Sequence, residues 1–309
     1  MIDYVTVTAD TNLETDLRQL VRLAKNEDLR DQIDWTSACT IDSGLRGASQ
    51  VVPRVHGVCA GVVTVPWIVD EFEADLSCES FCEDGEMLVP GKPILLLRGN
   101  VRDMLTCERT ILNVLGRLCG VATETKRYVD AIEGLKASIY DTRKMTPGWR
   151  LLEKYAVACG GGRNHRRGLY DGFLIKDNHL QLGGSAGVPL AASQAATRAI
   201  EWREGQNGHG DAPPIVEIEV DSLQQLRDVL PVGPDIVLID NFSLDQMHQA
   251  VQLRDELNPS VELEVSGNVT IDTITPIAAT GVERVSSGAL THQATWLDLG
   301  LDWHQEEAT

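Results

Sequence analysis

A short window of this sequence, residues 143–167, has a composition suited to binding strongly anionic groups. It reads RKMTPGWRLLEKYAVACGGGRNHRR, with seven Lys or Arg residues and one acid, in a chain whose net charge is -19. A solvated surface run would normally mix signs or share the bias of its chain, so these cations beside a glycine triplet and His165 predict an anion pocket. The alternative is a helix with a basic outer face.

Polar residues also follow a series of apolar, β-rich segments at the point where each segment ends. The six segments are SIYDTRK, ending at Arg143 and Lys144; GFLIKDNH, at Lys176; IVEIEV, at Glu219; DIVLIDN, at Asp240; VELEVSG, at Ser266; and ERVSSGA, at Gly288. Each end alone could be a routine strand terminus. Because parallel strands of one sheet bring their carboxyl ends to the same face, six such ends together predict a functional face.

The residue types on this face predict what it binds. Arg143, Arg166 and Arg109 have planar guanidinium groups that match carboxylates, whereas Lys144 and Lys176 are point charges that suit phosphate oxygens. We therefore expect a site for both kinds of anion.

Two acids and two turns extend this prediction. Glu219 and Asp240 could ligate Mg²⁺ or accept hydrogen bonds from sugar hydroxyls, and the alternative is simple charge pairing with the cations. The turns at residues 266–268 (Ser-Gly-Asn) and 286–289 (Ser-Ser-Gly-Ala) follow the last strands, where barrels commonly hold a phosphate with backbone N–H groups.

The periodicity of the chain predicts the elements that position these residues. An amphipathic helix is predicted over residues 13–30, followed by short β-like runs at 57–69, 86–89 and 93–98 and a long helix over 103–131. Beyond it, near-continuous apolar strands alternate with helices, which is typical of a parallel sheet covered by helices, and units of this length favour a barrel. The predicted fold class is therefore α/β, with an α+β segment before the barrel.

Composition excludes several other classes of protein. The overall acidity argues against nucleic-acid binding, and the most apolar stretch, residues 58–69, is too short to span a bilayer. The acidic N-terminus is unlike a signal peptide, and the seven cysteines form no CxxC pair, so we expect a cytoplasmic protein with reduced thiols. The sequence contains neither a P-loop motif nor a strand-linked GxGxxG motif.

Several strings of the chain resemble the quinolinate phosphoribosyltransferase family, also called carboxylating nicotinate-nucleotide pyrophosphorylase. They are ERTILN (108–113), DTRKMTPGWRLLEKYAV (141–157), GGGRNHRRGLYDGFLIKDNH (160–179), EIEV, LIDNF and SSGALTH (286–292). The resemblance covers nearly the whole chain. Three positions depart from the pattern: Met145, where Thr is usual; Cys119, where Ser is common; and Asn268, where a second Gly is frequent.

The resemblance implies a fold and a reaction. The fold is an incomplete TIM-like α/β barrel of parallel strands with an N-terminal α+β open-faced sandwich domain, the type II phosphoribosyltransferase fold. It implies an N-terminal domain over residues 1–115, a catalytic barrel over 116–290 and a C-terminal tail, 291–309, that packs back on the N-terminal domain. The implied reaction converts quinolinate and phosphoribosyl pyrophosphate (PRPP), with Mg²⁺, into nicotinate mononucleotide, pyrophosphate and CO₂ for NAD synthesis.

The resemblance also implies roles for individual residues. The catalytic residues would be Lys144, Lys176, Glu219 and Asp240, with Glu219 and Asp240 also holding the metal. Quinolinate would be bound by Arg109, Arg143, His165 and Arg166, and the PRPP phosphates by Lys144, Lys176, Ser266, Gly267, Asn268, Ser287, Gly288 and His292. Because Arg109 precedes all the barrel strands, the family pattern implies a homodimer in which it completes the neighbouring subunit's site.

Two alternative functions fit the same residues, and one segment has two interpretations. The chain could be a same-fold phosphoribosyltransferase that acts on another base, or a non-catalytic ligand-binding relative that retains the barrel. Residues 203–214 are predicted to be a loop extension, either a surface insertion or a lid.

Overall fold

The computed structural model of the chain describes residues 3–185, 187–205 and 213–304. Its helices are α1 (Thr11–Leu29), α2 (Trp35–Thr40), α3 (Val65–Glu71), α4 (Val101–Ala131), α5 (Arg150–Cys159), α6 (Asp177–Leu182), α7 (Ala192–Gly205), α8 (Leu223–Val229), α9 (Leu244–Leu257), α10 (Ile274–Ala278) and α11 (Ala289–His292). Its strands are β1 (Arg46–Pro53), β2 (Gly57–Val58), β3 (Leu76–Ser80), β4 (Met87–Leu88), β5 (Leu95–Asn100), β6 (Ser138–Tyr140), β7 (Gly172–Ile175), β8 (Ile215–Val220), β9 (Ile236–Asp240), β10 (Glu262–Ser266), β11 (Arg284–Ser286) and β12 (Leu299–His304).

These residues form two compact units, each assembled from separate segments of the chain. The described residues of 1–5, 127–143 and 163–289 form one, which we call the barrel unit; those of 6–126, 144–162 and 290–309 form the other, which we call the α+β unit. The prediction from sequence instead divides the chain linearly, at residues 115 and 290, and it stays a prediction about domains.

The barrel unit is built on a six-stranded parallel sheet in the order β6-β11-β10-β9-β8-β7. Strands such as β9 are buried on both faces, which is why their sequences are nearly continuous apolar runs. All six strands predicted from the sequence are present in this sheet. The predicted α/β fold with an incomplete parallel barrel is confirmed.

The α+β unit contains a four-stranded antiparallel sheet in the order β12-β1-β5-β3 and the two-stranded pair β2-β4. Strand β12 pairs with β1 from Pro53 opposite Leu299 to Ala48 opposite His304, so the C-terminal strand returns to an early strand of the chain. Helix α1 begins where the Asp10 side chain accepts the N–H groups of the first turn.

The two long helices agree with the sequence prediction, but one β-like run does not. Residues 57–69 form a strand only at Gly57–Val58 and then turn into α3. Gly61 takes a φ of 99°, which ends the extended conformation, and Pro66 lies in the first turn of α3, where its missing N–H costs nothing. The apolar composition was therefore misread, because a short buried helix and a buried strand look alike in sequence.

The helices give no sign of a membrane segment. Among the described residues, none of them combines the length and the apolar character needed to cross a bilayer.

Candidate active site

The carboxyl ends of neighbouring strands bring four predicted site residues to one edge of the parallel sheet. Ile175 pairs with Ile218, so the next residue, Lys176, comes level with Glu219. Asp240 pairs with Ser266 at the ends of β9 and β10. Polar residues that are far apart in the sequence thus share one rim of the barrel unit.

Lys176 and Glu219 form an ion pair on this rim. The distance between Lys176 Nζ and Glu219 Oε2 is 2.5 Å, and the lysine side chain keeps 44% of its exposure. The backbone N–H of Lys176 donates to Nδ1 of His179 at 3.0 Å, which fixes the junction of β7 and α6. A partly exposed ammonium with one carboxylate partner retains donors for a ligand.

A cavity of about 360 Å³ opens beside the rim, within the barrel unit. Its polar lining is dominated by carboxylates. They include Asp177, Glu219, Asp221, Asp228 and Asp240. Such a lining attracts cations and accepts hydrogen bonds from hydroxyl groups, so it suits a metal-bound or sugar-like ligand better than a bare anion.

Arg143 and Arg166 supply positive charge in the same unit. Arg166 is buried, and its Nη1 donates to the carbonyl of Gly172 at 3.2 Å. The pKa of Arg166 is lowered below its ordinary value, mainly because the side chain is buried and also because Arg143 is positively charged. Two guanidinium groups close enough to repel each other would be stabilised by an anion between them.

Asp141, which follows β6, fixes the loop that carries the predicted quinolinate residues. Its carboxylate is fully buried and accepts the backbone N–H of His165 at 2.8 Å and the side-chain amide of Asn164 at 2.8 Å. These two hydrogen bonds fix the backbone of the segment after the glycine triplet, which carries His165 and Arg166.

The ring of His165 is directed into the protein. Its Nδ1 accepts the backbone N–H of Arg166 at 2.8 Å, its Nε2 lies 2.9 Å from Glu217 Oε2, and the ring stacks on Tyr4 at 4.8 Å. Burial lowers the pKa of His165, but the carboxylates of Glu217 and Glu264 outweigh it and raise the pKa overall. The predicted contact of His165 with quinolinate stays a prediction; what the structure shows is an imidazole that supports the backbone of Arg166.

Sequence reasoning missed a buried polar cluster beneath the rim. Arg284 is fully buried, with Nε 2.9 Å from Glu264 Oε2 and its guanidinium 3.7 Å from the ring centroid of Tyr140. Tyr4 donates to Glu217 at 3.3 Å. In the part of the chain that the structure describes, His165, Glu217 and Glu264 are the only three residues of ligand type whose ligand atoms lie close enough together to hold one metal ion. Because Arg284 already balances Glu264, we interpret the cluster as structural.

The strand register shows how this cluster could have been found. Glu217 and Glu219 are two residues apart on β8, as are Glu264 and Ser266 on β10, so each pair faces the same side of the sheet. The alternation of acids within otherwise apolar strands is therefore the missed signal.

Two residues of the turn after β10 adopt the left-handed backbone conformation. Gly267 has a φ of 93° and Asn268 a φ of 49°, so the Asn that replaces the frequent Gly adopts the left-handed conformation. A Cβ atom at Gly267 would lie 3.0 Å from Asp240 Oδ1. The glycine thus allows the turn to approach the end of β9 closely.

The turn after β11 is held by its serine. Ser287 N–H donates to the carbonyl of Tyr140 and its hydroxyl to the carbonyl of Val269, both at 3.0 Å. The N–H and the hydroxyl of Ser287 are thus both used within the barrel unit, and Gly288 follows it immediately before α11.

The remaining predicted residues belong to the α+β unit. Arg109 lies on α4 with 67% of its side chain exposed, and His292 is exposed at the end of α11. The carbonyl of Lys144 accepts the hydroxyl of Thr291 at 2.9 Å, which ties the backbone of Lys144 to α11. Cys119 contacts the N–H and carbonyl of Ala60 at 3.3 and 3.4 Å, and so replaces a serine hydroxyl with a thiol in a buried position.

The predicted loop extension at residues 203–214 is only partly described. Arg203 near the end of α7 donates to the carbonyl of Pro214 at 3.3 Å and pairs with Asp235 at 2.5 Å. Residues 206–212, on which the choice between a surface insertion and a lid depends, lie outside the described residues.

Comparison with known families matches almost the whole chain. The model "Quinolinate phosphoribosyl transferase, N-terminal domain" matches residues 34–119, and the corresponding C-terminal domain model matches residues 121–302. The boundary between the two models falls at the middle of α4.

Individual proteins give the same result. The chain is 43% identical over 287 residues to the nicotinate-nucleotide pyrophosphorylase [carboxylating] of Mycobacterium leprae, covering 92% of this chain and 96% of that one. It is 35% identical to the probable enzyme of the same name from Synechocystis, with 87% and 86% coverage. The solved structure of the nicotinate-nucleotide pyrophosphorylase from Francisella tularensis superposes with a TM-score of 0.85 at 32% identity, covering 98% of this chain and 100% of that one.

Proposed function

The chain belongs to the quinolinate phosphoribosyltransferase family, and we propose that its barrel unit carries out the family's reaction with the residues at its strand ends. The reaction transfers the phosphoribosyl group of PRPP to quinolinate with loss of CO₂. It gives nicotinate mononucleotide and pyrophosphate, in the biosynthesis of NAD.

One observation supports the assignment of this reaction to specific residues. Lys176, Glu219, Asp240 and Ser266 end four neighbouring parallel strands and share one rim. Such a rim is where barrel enzymes place catalytic groups. Its lysine and the turn after β10 are suited to the phosphate groups of PRPP. Its carboxylates are suited to Mg²⁺ or to the ribose hydroxyls.

Mg²⁺ is proposed as the ion that accompanies PRPP, with Glu219 and Asp240 as its protein ligands. Both carboxylates line the same cavity, and proteins commonly bind Mg²⁺ through one or two carboxylates, with water and substrate phosphate oxygens completing the shell. When bound, the ion supplies neutralisation of charge on the leaving pyrophosphate. The residues present therefore fit the group.

The chain's own residues then position the reactants and neutralise charge. Lys176, with Lys144, would bind oxygens of the leaving pyrophosphate, while the guanidinium groups of Arg143 and Arg166 would bind the two quinolinate carboxylates. The pyridine nitrogen is thereby held against the anomeric carbon, so that much of the barrier is removed by orientation. Once the ring nitrogen is ribosylated and cationic, it can accept the electrons released as CO₂ departs.

Product analysis tests this function directly. Purified protein is incubated with quinolinate labelled in the carboxylate that is lost, PRPP and Mg²⁺, and we expect equal amounts of nicotinate mononucleotide, pyrophosphate and labelled CO₂. Pyrophosphate release with another pyridine base, but none with quinolinate, would favour the same-fold alternative. Quinolinate binding without any turnover would favour the non-catalytic one.

A homodimer with composite sites is the second part of the proposal. Arg109 is an exposed arginine of the α+β unit, and an exposed guanidinium is available to a second subunit. We propose that it contributes to quinolinate binding in the neighbouring chain, whereas Lys144 serves the site of its own chain.

Subunit mixing tests the composite site. Arg109→Ala and Lys144→Ala proteins should each be nearly inactive, and reassembly of a mixture should restore about a quarter of wild-type activity, because half of the dimers are mixed and each has one intact site. No recovery after verified subunit exchange, or full activity of a verified monomer, would contradict the proposal.

We also propose that the enzyme acts in the cytoplasm, where its seven cysteines would stay reduced, because they include no CxxC pair and form no disulfide among the described residues. Fractionation of producing cells, with activity assayed in each fraction, tests this location.

A further inference from the structure

Three cysteines of the α+β unit lie close together: Cys59, Cys82 and Cys119. The sulfur atoms of Cys59 and Cys82 are 3.2 Å apart, although the two residues are 23 positions apart in the sequence. Cys119 contacts Ala60, the residue after Cys59. No role in phosphoribosyl transfer requires this cluster.

Backbone hydrogen bonds hold the two sulfur-bearing segments next to each other. Cys59 N–H donates to the carbonyl of Glu86, and Gly85 N–H donates to the carbonyl of Cys59, both at 2.8 Å. On the other side, the hydroxyl of Ser80 donates to the carbonyl of Cys82 at 2.6 Å. A disulfide needs sulfur atoms about 2.05 Å apart. The two sulfurs, now 3.2 Å apart, must therefore come closer by roughly 1 Å for the bond to form.

The two thiols have unequal environments. Cys82 is half-buried, and the hydrogen bond from Cys59 lowers its pKa below the ordinary value for a thiol. Cys59 is buried, and its hydrogen bonds with Cys119 and Cys82, together with burial, raise its pKa. By contrast, burial raises the pKa of Cys78 to about 11 and that of Cys107 to about 12. Cys82 is thus the accessible thiol of this group that is favoured as a thiolate, and Cys59 is its resolving partner.

We propose that Cys59 and Cys82 form a reversible disulfide when the protein meets a hydroperoxide. The Cys82 thiolate attacks one oxygen of hydrogen peroxide, the O–O bond breaks, hydroxide leaves, and Cys82 becomes a sulfenic acid. The sulfur of Cys59 then attacks Cys82, the S–O bond breaks, and hydroxide leaves and is protonated to water as Cys59 loses its proton. The two sulfurs together lose two electrons, the peroxide is reduced to two waters, and a dithiol reverses the bond.

The disulfide would also alter a hydrogen-bonded junction within the α+β unit. The Cys59 sulfur lies 3.6 Å from Asp84 Oδ1, and the same oxygen accepts the N–H of Val62 at 3.0 Å. The other oxygen of Asp84 accepts the hydroxyl of Tyr155, on α5, at 2.6 Å. Formation of the disulfide moves the Cys59 sulfur toward Cys82 and so alters its contact with Asp84.

Thiol counting and peptide mapping of the unmodified chain test the proposal. The full-length enzyme is treated with a small excess of hydrogen peroxide, remaining thiols are alkylated, and the digest is analysed by mass spectrometry without reduction. We expect the loss of two of the seven thiols, a cross-linked peptide pair containing Cys59 and Cys82, and full recovery with dithiothreitol. No loss of thiols from the native protein, or a cross-link between another pair, would overturn it.

Variants separate the two roles and control for exposure. Cys39→Ser removes an exposed cysteine outside the cluster and should leave the loss of two thiols unchanged. Cys59→Ala should let dimedone trap a sulfenic acid at Cys82, whereas Cys82→Ala should leave Cys59 unoxidised. If Cys59 is oxidised equally well without Cys82, the assigned order of attack is wrong. The mapping of the wild-type protein decides the pairing even where a variant folds poorly.

Discussion

Lys176 is the residue whose environment links the fold most directly to the chemistry. Its ammonium pairs with Glu219 and remains 44% exposed. Ion pairs with this much solvent access contribute about 0–1 kcal/mol to stability. A change at Lys176 should therefore affect function much more than folding.

Replacing Lys176 with methionine tests its role at the leaving pyrophosphate. The methionine keeps the length of the side chain and removes the charge, so we expect kcat to fall by about 10²-fold, the scale seen when one preorganised donor is lost. The apparent Tm should change little. Steady-state kinetics with PRPP varied, together with a thermal melt, measure both effects.

A matched variant controls for removal of a lysine in general. Lys92→Met changes an exposed lysine of the α+β unit and should leave kcat unchanged. If Lys176→Met retains wild-type kcat and KM for PRPP, Lys176 does not bind the pyrophosphate.

At the same scale, the sequence predicted the residues of the rim but not those beneath it. Glu219 and Asp240 could be predicted because each ends an apolar run and is followed by a turn or helix. Glu217 and Glu264 lie inside such runs, and their burial depends on Arg284 and His165, which come from distant segments. The acids alternate with apolar residues along these strands, but that local pattern does not show which distant residues compensate their charge.

Among the elements, the turn after β10 brings backbone close to the end of β9. Gly267 takes a left-handed φ and has Asp240 within 3.0 Å of the position of a Cβ atom. Gly134 also has a left-handed φ, 81°, but no atom within 4 Å of that position. A substitution at Gly134 therefore introduces backbone strain alone, whereas a substitution at Gly267 introduces both backbone strain and crowding at the site.

Alanine at these two glycines should have different consequences. Each substitution should cost about 1–2 kcal/mol of stability from the left-handed backbone. Only Gly267→Ala should also raise KM for PRPP, because its methyl group displaces Asp240 or the turn. Urea melts and PRPP titrations measure the two effects, and an equal KM for both variants would mean that the turn does not contact PRPP.

The residue that precedes β11 makes the stability of the parallel sheet depend on pH. Glu283 Oε2 accepts from Arg254 Nη1 at 2.7 Å and from Leu263 N–H at 2.9 Å, and Oε1 accepts from Lys136 at 2.6 Å. Burial raises the pKa of Glu283, but these donors outweigh it and lower the pKa overall. The stabilisation is therefore present above the unfolded pKa of about 4.3 and is lost as the pH falls through the lower folded value.

Glu283→Gln should therefore destabilise the protein in a pH-dependent way. At pH 7 we expect a loss of about 3 kcal/mol, because the buried Arg254 loses its buried carboxylate partner and keeps only Asp255, whose side chain is exposed. The difference from wild type should shrink as the pH falls below about 4. Urea unfolding across this range measures it. The exposed pair of Glu79 and Arg98 provides the control, since Glu79→Gln should cost no more than about 1 kcal/mol at any pH.

For the whole molecule, the sequence predicted the fold class but not the way segments are shared between the units. Residues 3–5 belong to the barrel unit, where Asp3 pairs with Arg163, and residues 144–162 belong to the α+β unit although they lie between two barrel segments of the chain. Periodicity predicts elements in the order of the chain. It carries no information about which distant segments pair, and so the linear boundaries at 115 and 290 came from the resemblance rather than from the residues.

The net charge of the whole molecule leads to a last prediction, on salt. With 46 acids against 27 lysines and arginines, the folded chain repels itself at neutral pH. Raising KCl from 0.1 to 1 M shortens the screening length from about 10 to about 3 Å. Exposed ion pairs such as Arg46 with Asp75 also weaken, but each contributes little. We therefore expect the apparent Tm at pH 7 to rise with KCl, by about 4 °C for a gain of 1–2 kcal/mol.

Near pH 4.7, the isoelectric point, the same salt range should change the Tm much less. An equal rise at both pH values would mean that general salt effects on apolar surface, and not charge repulsion, set the stability.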